Sequence, residues 1–165
     1  MITIAPIKDE QIVAAKRVIE GVAQRIFEPE KSSVEFAASL ENEHELKDMD
    51  DLRQVYDGNL GVFLVALDGD RVIGTGALKP LEGQAAELKR LWLLEEYHGQ
   101  RIGYRLVMQL FEFARQAGYR QIFLQTSLQQ QRAIEFYKQI GFVEVSDYVT
   151  LAYDDDISLG ITLAG

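Results

Sequence analysis

A chain of 165 residues, 47% hydrophobic and 10% aromatic, carries enough apolar material for one sizeable core, so a single domain over residues 1–165 is expected. It has no cysteine and only two histidines, His44 and His98, which excludes disulfides, thiolate metal sites and a sulfur nucleophile; no metal is expected. A formal net charge of −9 weighs against nucleic acid, whose phosphate charge selects basic binders, and makes a cationic partner easier to attract.

Ile2, Ile4 and Ile7 mark a short first strand. Ile12, Ala15, Val18, Ile19, Val22 and Ile26 then recur at helical spacing and stop before Pro29, which predicts a helix. The opening residues lack the basic start and apolar core of a secretion signal, and no apolar run approaches the roughly 18 residues of a membrane span. A soluble, cytoplasmic protein with no membrane partner is expected. Ser32 or Ser33, with Glu35 placed as the capping-box partner of Ser32, opens a second helical segment through Phe36 and Leu40. The acidic run ENEHELKDMDD follows, and Glu41, Glu43, Glu45, Asp48, Asp50 and Asp51 form either a solvated face or a lure for a cationic amine.

Residues 61–67 and 71–78 are apolar runs around Asp68, Gly69 and Asp70, which predicts a β-hairpin. AELKRLWLL, residues 86–94, reads as a third strand, its alternation setting Leu88, Arg90 and Trp92 against Glu87, Lys89 and Leu91. Beyond the stretch YHGQRIG, Leu106, Val107, Leu110, Phe113, Ala114 and Ala117 trace one face of a long helix that ends at Gly118. RQIFLQTS, residues 120–127, is a buried strand. AIEFYKQIGF is a helix closing on Gly141, with Phe142 placed for the contact of a Schellman cap, and β segments around FVEV and DISLGITL follow. There are no repeats or Pro/Gly-rich linkers, and the order of elements predicts a mixed α/β sheet in one domain.

The loop between the third strand and the long helix concentrates the chemistry. A strand feeding a glycine-containing loop into a helix start leaves unpaired N–H groups at the positive end of a helix dipole, which suits an anion. Gly99 lets the backbone approach a ligand, Gly103 lets the first helical turn pack closely, and Arg101 and Arg105 add charge. Plain loop geometry uses the same glycines. The phosphate loop GxxxxGK followed by Ser or Thr, and the dinucleotide fingerprint GxGxxG, are both absent.

The stretch His98, Gly99, Gln100, Arg101, Ile102, Gly103 resembles the phosphate loop of the GCN5-related N-acetyltransferases, Q/R-x-x-G-x-G/A. AIEFYKQIGFVEV, residues 133–145, is similar to that family's AxxLYxxxGF segment, and the resemblance runs from about Val62 to Val145. His98 stands where the family has Gln or Arg, Arg101 replaces the first loop glycine, and Gln130 takes the place of a common Asn. The Cβ of Arg101 either resists a positive φ and crowds a pyrophosphate, or its guanidinium binds one.

The resemblance implies the acyl-CoA N-acyltransferase fold, a mixed, mostly antiparallel twisted sheet flanked by helices. It also implies an acetyl-CoA-dependent N-acetyltransferase acting on a primary amine of a small molecule or peptide. The pyrophosphate would lie on the amides of residues 99–104, ending at Tyr104, and the pantetheine would pair with the backbone around Leu91, Trp92 and Leu93, with Gln130 nearby. Tyr137 would be the general acid for the thiolate, Glu87 the general base for the amine, and an N–H near Leu93 the oxyanion donor. Without the resemblance Tyr137 reads as a core aromatic and Glu87 as a surface partner of Lys89. A non-catalytic CoA-binding sensor and a simple nucleotide-phosphate binder are the rival readings. A homodimer is the expected assembly on frequency alone.

Overall fold

The apolar runs VFLVALD and RVIGTGALKP, joined through Gly69 and Asp70, form a hairpin: β2 (Val62–Asp68) pairs antiparallel with β3 (Arg71–Pro80), Asp68 opposite Arg71. Gly69 takes φ 62, the left-handed conformation that a two-residue turn demands. The structure is a computed structural model that describes residues 1–32, 34–37, 46–56, 60–149 and 154–164.

The hairpin is built outward on both sides. β1 (Ile2–Pro6) adds antiparallel to β2, and β4 (Ala85–Leu93) adds antiparallel to β3. β5 (Gln121–Ser127) then joins β4 in parallel, followed by β7 (Asp156–Thr162) and the short β6 (Val143–Glu144). The seven-stranded order is β1-β2-β3-β4-β5-β7-β6, so the sheet is mixed and mostly antiparallel, as the sequence predicts.

Helices cover both faces and make two apolar cores. On one side α1 (Ile12–Phe27) buries Ala15, Val18, Ile19 and Ala23, and the short α2 (Leu52–Val55) brings Met49, Leu52 and Tyr56 into the same cluster. On the other, α3 (Ile102–Ala117) and α4 (Gln131–Ile140) pack over Ala86, Leu88, Ile122 and Leu124. α3 turns Phe111 into this core and leaves Phe113, expected on its buried face, only partly covered. Gly118 and Gly141 end α3 and α4 at φ 90 and 126, and the Phe142 N–H donates to the Tyr137 carbonyl at 3.0 Å, completing the expected cap. Residues 34–37 are helical, and the Glu35 N–H donates to Ser32 Oγ at 3.1 Å. Ser33, Leu40, Glu41, Glu43, His44 and Glu45 lie outside the described residues.

Two irregularities of β4 shape the middle of the sheet. Thr75 lies opposite Trp92 but Ala77 opposite Lys89, so β4 holds an extra residue there, and Arg90 takes φ 56. This bulge overturns the alternation read from the sequence. Leu88, Leu91 and Leu93 pack toward α3, while Trp92 packs toward α1 on the face that Glu87 and Lys89 share. The second irregularity is a short ladder: β4 and β5 pair only at Ala85–Gln121, Ala86–Ile122 and Glu87–Phe123. Past Glu87, β4 stays paired with β3 to Leu93 and β5 stays paired with β7 to Ser127, so the two central strands part and open a gap in the sheet.

Candidate functional site

A cleft of about 1120 Å³ lies beside this gap, bordered by Leu91, Trp92 and Leu93 from β4, the loop before α3, Tyr137 from α4, and Val22, Arg25 and Ile26 near the end of α1. Of the residues singled out in the sequence, His98, Gly99, Arg101, Ile102, Gly103, Tyr104 and Gln130 also border it, whereas Gln100 and Glu87 do not.

The loop has the geometry of an anion site. Gly99 takes φ 84, and Arg101, the cap residue of α3, takes φ 62 and ψ 20. Arg101 thus adopts the conformation a glycine would favour, at a strain of roughly 1 kcal/mol. The first main-chain hydrogen bond into the helix runs from the Arg105 N–H to the Arg101 carbonyl at 3.0 Å, leaving the N–H groups of Ile102, Gly103 and Tyr104 directed out of the helix start. The Arg101 guanidinium lies 4.9 Å from the centre of the Tyr104 ring, which holds its charge beside those donors. Arg105 turns away and donates to the Ile2 carbonyl at 3.2 Å. Gly103 is less demanding than its place suggests, because a Cβ there would meet only Phe136 Cζ, at an ordinary 3.7 Å.

β4 presents a free edge to the gap. The Leu94 N–H donates to the Ile73 carbonyl across to β3 at 3.0 Å, so alternation turns the main-chain groups of Leu93 and Leu91 the other way, into the gap. His98 takes the Leu93 carbonyl at 3.2 Å; a carbonyl only accepts, so Nε2 carries the proton and Nδ1, buried, has no partner among the described residues.

Tyr137 is 6% exposed and sits between Phe136 and Phe142, each with ring centres 5.6 Å from its own. Burial pushes its phenol well above the ordinary 10.0, so it stays protonated at neutral pH. The ring belongs to the core, as the reading from the residues alone expects, and it also borders the cleft.

The opposite face of the gap is charged. Glu87, 8% exposed, lies where the strands part, and the Tyr148 hydroxyl donates to its Oε2 at 2.6 Å. Tyr148 is stacked on Phe123 with ring centres 5.1 Å apart, and burial followed by the Glu87 hydrogen bond drives its phenol far up. Glu87 therefore pairs with Tyr148 and not with Lys89, against the surface reading. At the bulge Arg90 Nη2 donates to Asp48 Oδ1 at 2.5 Å, and the Tyr56 hydroxyl donates to the same carboxylate. Burial alone would raise the Asp48 carboxyl, but the hydrogen bonds and charge of Arg90 outweigh it and hold it below its ordinary range. Asp48 is thus an internal partner and not a lure for amines; Asp50 is likewise engaged, by Lys16 at 2.5 Å. Arg90 and Tyr148 went unnoticed as site residues, and Asp48 reads only as part of an acidic run, since their partners are 42 and 61 positions away in the chain.

A sheet opened between two central parallel strands, with a phosphate-type loop at one end of the gap, defines the class. The chain belongs to the acetyltransferase (GNAT) family, whose model matches residues 24–142. It is 38% identical over 106 residues to the probable N-acetyltransferase family 8 member 5 of Mus musculus, covering 61% of this chain and 47% of that protein. It is 27% identical over 121 residues to the uncharacterized N-acetyltransferase YjgM of Escherichia coli, covering 70% of this chain and 72% of that protein. The chain spans about half the length of the mouse and rat relatives it matches. Among solved structures, a GNAT acetyltransferase from Staphylococcus aureus superposes with a TM-score of 0.85 at 18% identity, over 99% of this chain and 100% of that one. The PaiA N-acetyltransferase of Thermoplasma acidophilum, solved with coenzyme A, superposes at 0.80 with 22% identity over 99% of each chain. No helix among the described residues is long and apolar enough to cross a membrane.

Proposed function

We propose that the protein is an acetyl-CoA-dependent N-acetyltransferase that passes an acetyl group directly to a primary amine, of a small molecule or peptide, within a ternary complex. The observation that carries this reading is the parting of β4 and β5 just past Glu87, which gives one aperture with Tyr137 on one face and Glu87 on the other. The residues present fit the cofactor. The outward N–H groups of the loop and the Arg101 guanidinium suit a pyrophosphate, and the free β4 edge at Leu91 suits the amides of a pantetheine arm.

Each residue then has one task. Glu87 Oε1, with no partner among the described residues, accepts the proton of the acceptor ammonium directly or through a water, while Tyr148 holds Oε2. As the amine nitrogen bonds to the thioester carbonyl carbon, the Leu93 N–H holds the oxyanion. When the carbon–sulfur bond breaks, Tyr137 gives its proton to the thiolate, and the second proton lost by the nitrogen as the amide forms restores the phenol. The absence of cysteine rules out a sulfur-bound acyl-enzyme, which agrees with direct transfer.

Replacing Tyr137 with Phe tests the reading. Turnover should fall by about 100-fold or more, while the acetyl-CoA affinity measured by calorimetry stays put. Unchanged turnover removes Tyr137 from the mechanism. Tight binding of acetyl-CoA by a protein that acetylates no amine would make it the CoA-binding sensor instead.

A further inference from the structure

Two side chains on the charged face have no part in that scheme. Glu87 lies opposite Phe123 in the parallel ladder, so the next same-face positions are Lys89 on β4 and Gln125 on β5. The strands have parted there, and these two side chains stand on the two lips of the gap, beyond Glu87 and on its face. Gln125 Nε2 is buried and has no hydrogen-bond partner among the described residues. Lys89 is half-buried, and among the described residues it makes neither a hydrogen bond nor an ion pair, its neighbour Glu87 being engaged by Tyr148. Burial, and then the Arg90 charge, lower the Lys89 ammonium, and the nearby Glu87 and Asp48 carboxylates offset only part of this.

A buried donor left unmet, as Gln125 Nε2 is, is unfavourable, and Lys89 offers a half-buried cation across the strand gap from it. A carboxylate satisfies both, with one oxygen on the ammonium and one on the amide. Same-face positions on a strand are about 7 Å apart, so a carboxylate at Lys89 and Gln125 keeps an amine on the same small molecule within reach of Glu87. We propose that the acceptor is an amino acid, its carboxylate bound by Lys89 Nζ and Gln125 Nε2 and its amine delivered to Glu87. This rests on the acetyltransferase reading. The bond changes are those of the acetyl transfer itself: nitrogen gives one proton to Glu87 before attack, gains the acetyl carbon, and releases a second proton as the amide forms, which restores the Tyr137 phenol; sulfur loses that carbon and takes the Tyr137 proton, and the carboxylate only binds.

The test measures acetyl transfer to the proteinogenic amino acids, each beside its C-terminal amide and its decarboxylated amine. For the best amino acid, kcat/KM should exceed that of its amide by about tenfold or more. Lys89→Met should bring that ratio close to one, and Lys89→Arg, which keeps the charge, should hold it well above the Lys89→Met value. Gln125→Leu should lower the ratio by a smaller factor. Equal use of acid and amide, or a ratio unmoved by Lys89→Met, overturns the proposal. In that event, transfer to any amine of the panel keeps the acetyltransferase reading intact. Absence of transfer to every member overturns both.

Discussion

The two faces of the strand gap are built from opposite materials. On the α3 and α4 face the gap is bordered chiefly by leucines, aromatic rings and main-chain amides, with the buried Tyr137 phenol and the His98 imidazole among them. On the α1 face it is bordered by Glu87, Lys89, and the Arg90–Asp48 pair with Tyr56. The contrast arises from one backbone event. The bulge at Arg90 turns Leu91 and Leu93 toward α3 and leaves the charged residues of the same strand on the other side. A dry face keeps a phenol protonated, and the other face gathers charge; one strand lines both because its register slips between them.

The sharpest way to break the contrast is to remove the pair that anchors the charged face. Arg90 and Asp48 side chains are 15% and 14% exposed, and Asp48→Ala takes away an acceptor that Arg90 and Tyr56 share. Chemical denaturation should show a loss of about 3–5 kcal/mol, the usual range for breaking a buried pair. The pH dependence has a definite sign. The Asp48 carboxyl is held below its ordinary 3.8 in the folded protein, so its contribution is whole above that value and is lost as pH falls through the lower folded one. The gap in stability between wild type and Asp48→Ala should therefore be constant above pH 3.8 and close below it. A gap indifferent to acid would show that the loss came from packing alone.

A smaller effect should separate the faces functionally. Glu87→Gln keeps the size and the hydrogen-bond acceptor for Tyr148 but cannot take a proton. It should lower kcat about 100-fold, near 2.7 kcal/mol in the barrier, and leave acetyl-CoA binding by calorimetry unchanged, since Glu87 does not border the cleft. A parallel loss of cofactor affinity would mean that the two faces are not separate.

The apolar face was the legible one. Helical spacing, cap glycines and the loop before α3 are local signals, and each lies within a few positions of its cause: Gly118 and Gly141 end the helices predicted to stop there. The charged face was not legible. A bulge at Arg90 has no glycine to announce it, and strict alternation therefore placed Arg90 and Trp92 with Leu88. The partners of Glu87 and Arg90 come from distant segments, brought near by the order of strands and not by any spacing. The run containing Asp48 and Asp50 looked like free acid, yet both carboxylates are engaged by cations.

Arg101 is where the legible region carries its own irregularity, and Arg101→Gly gives the smallest and most discriminating effect. The residue already holds φ 62, so glycine relieves roughly 1 kcal/mol of strain while adding freedom to the unfolded chain, which offsets part of the gain. Stability by denaturation should change by less than about 1 kcal/mol. Affinity decides between the two roles left open by the sequence. If the guanidinium, held over Tyr104, binds a pyrophosphate, Arg101→Gly should weaken acetyl-CoA by about 10-fold and flatten the salt dependence of binding. If its Cβ merely crowds the loop, the same substitution should tighten binding. The guanidinium's place beside three outward amide donors argues for the first outcome, because it adds charge to a site whose geometry arginine has already adopted.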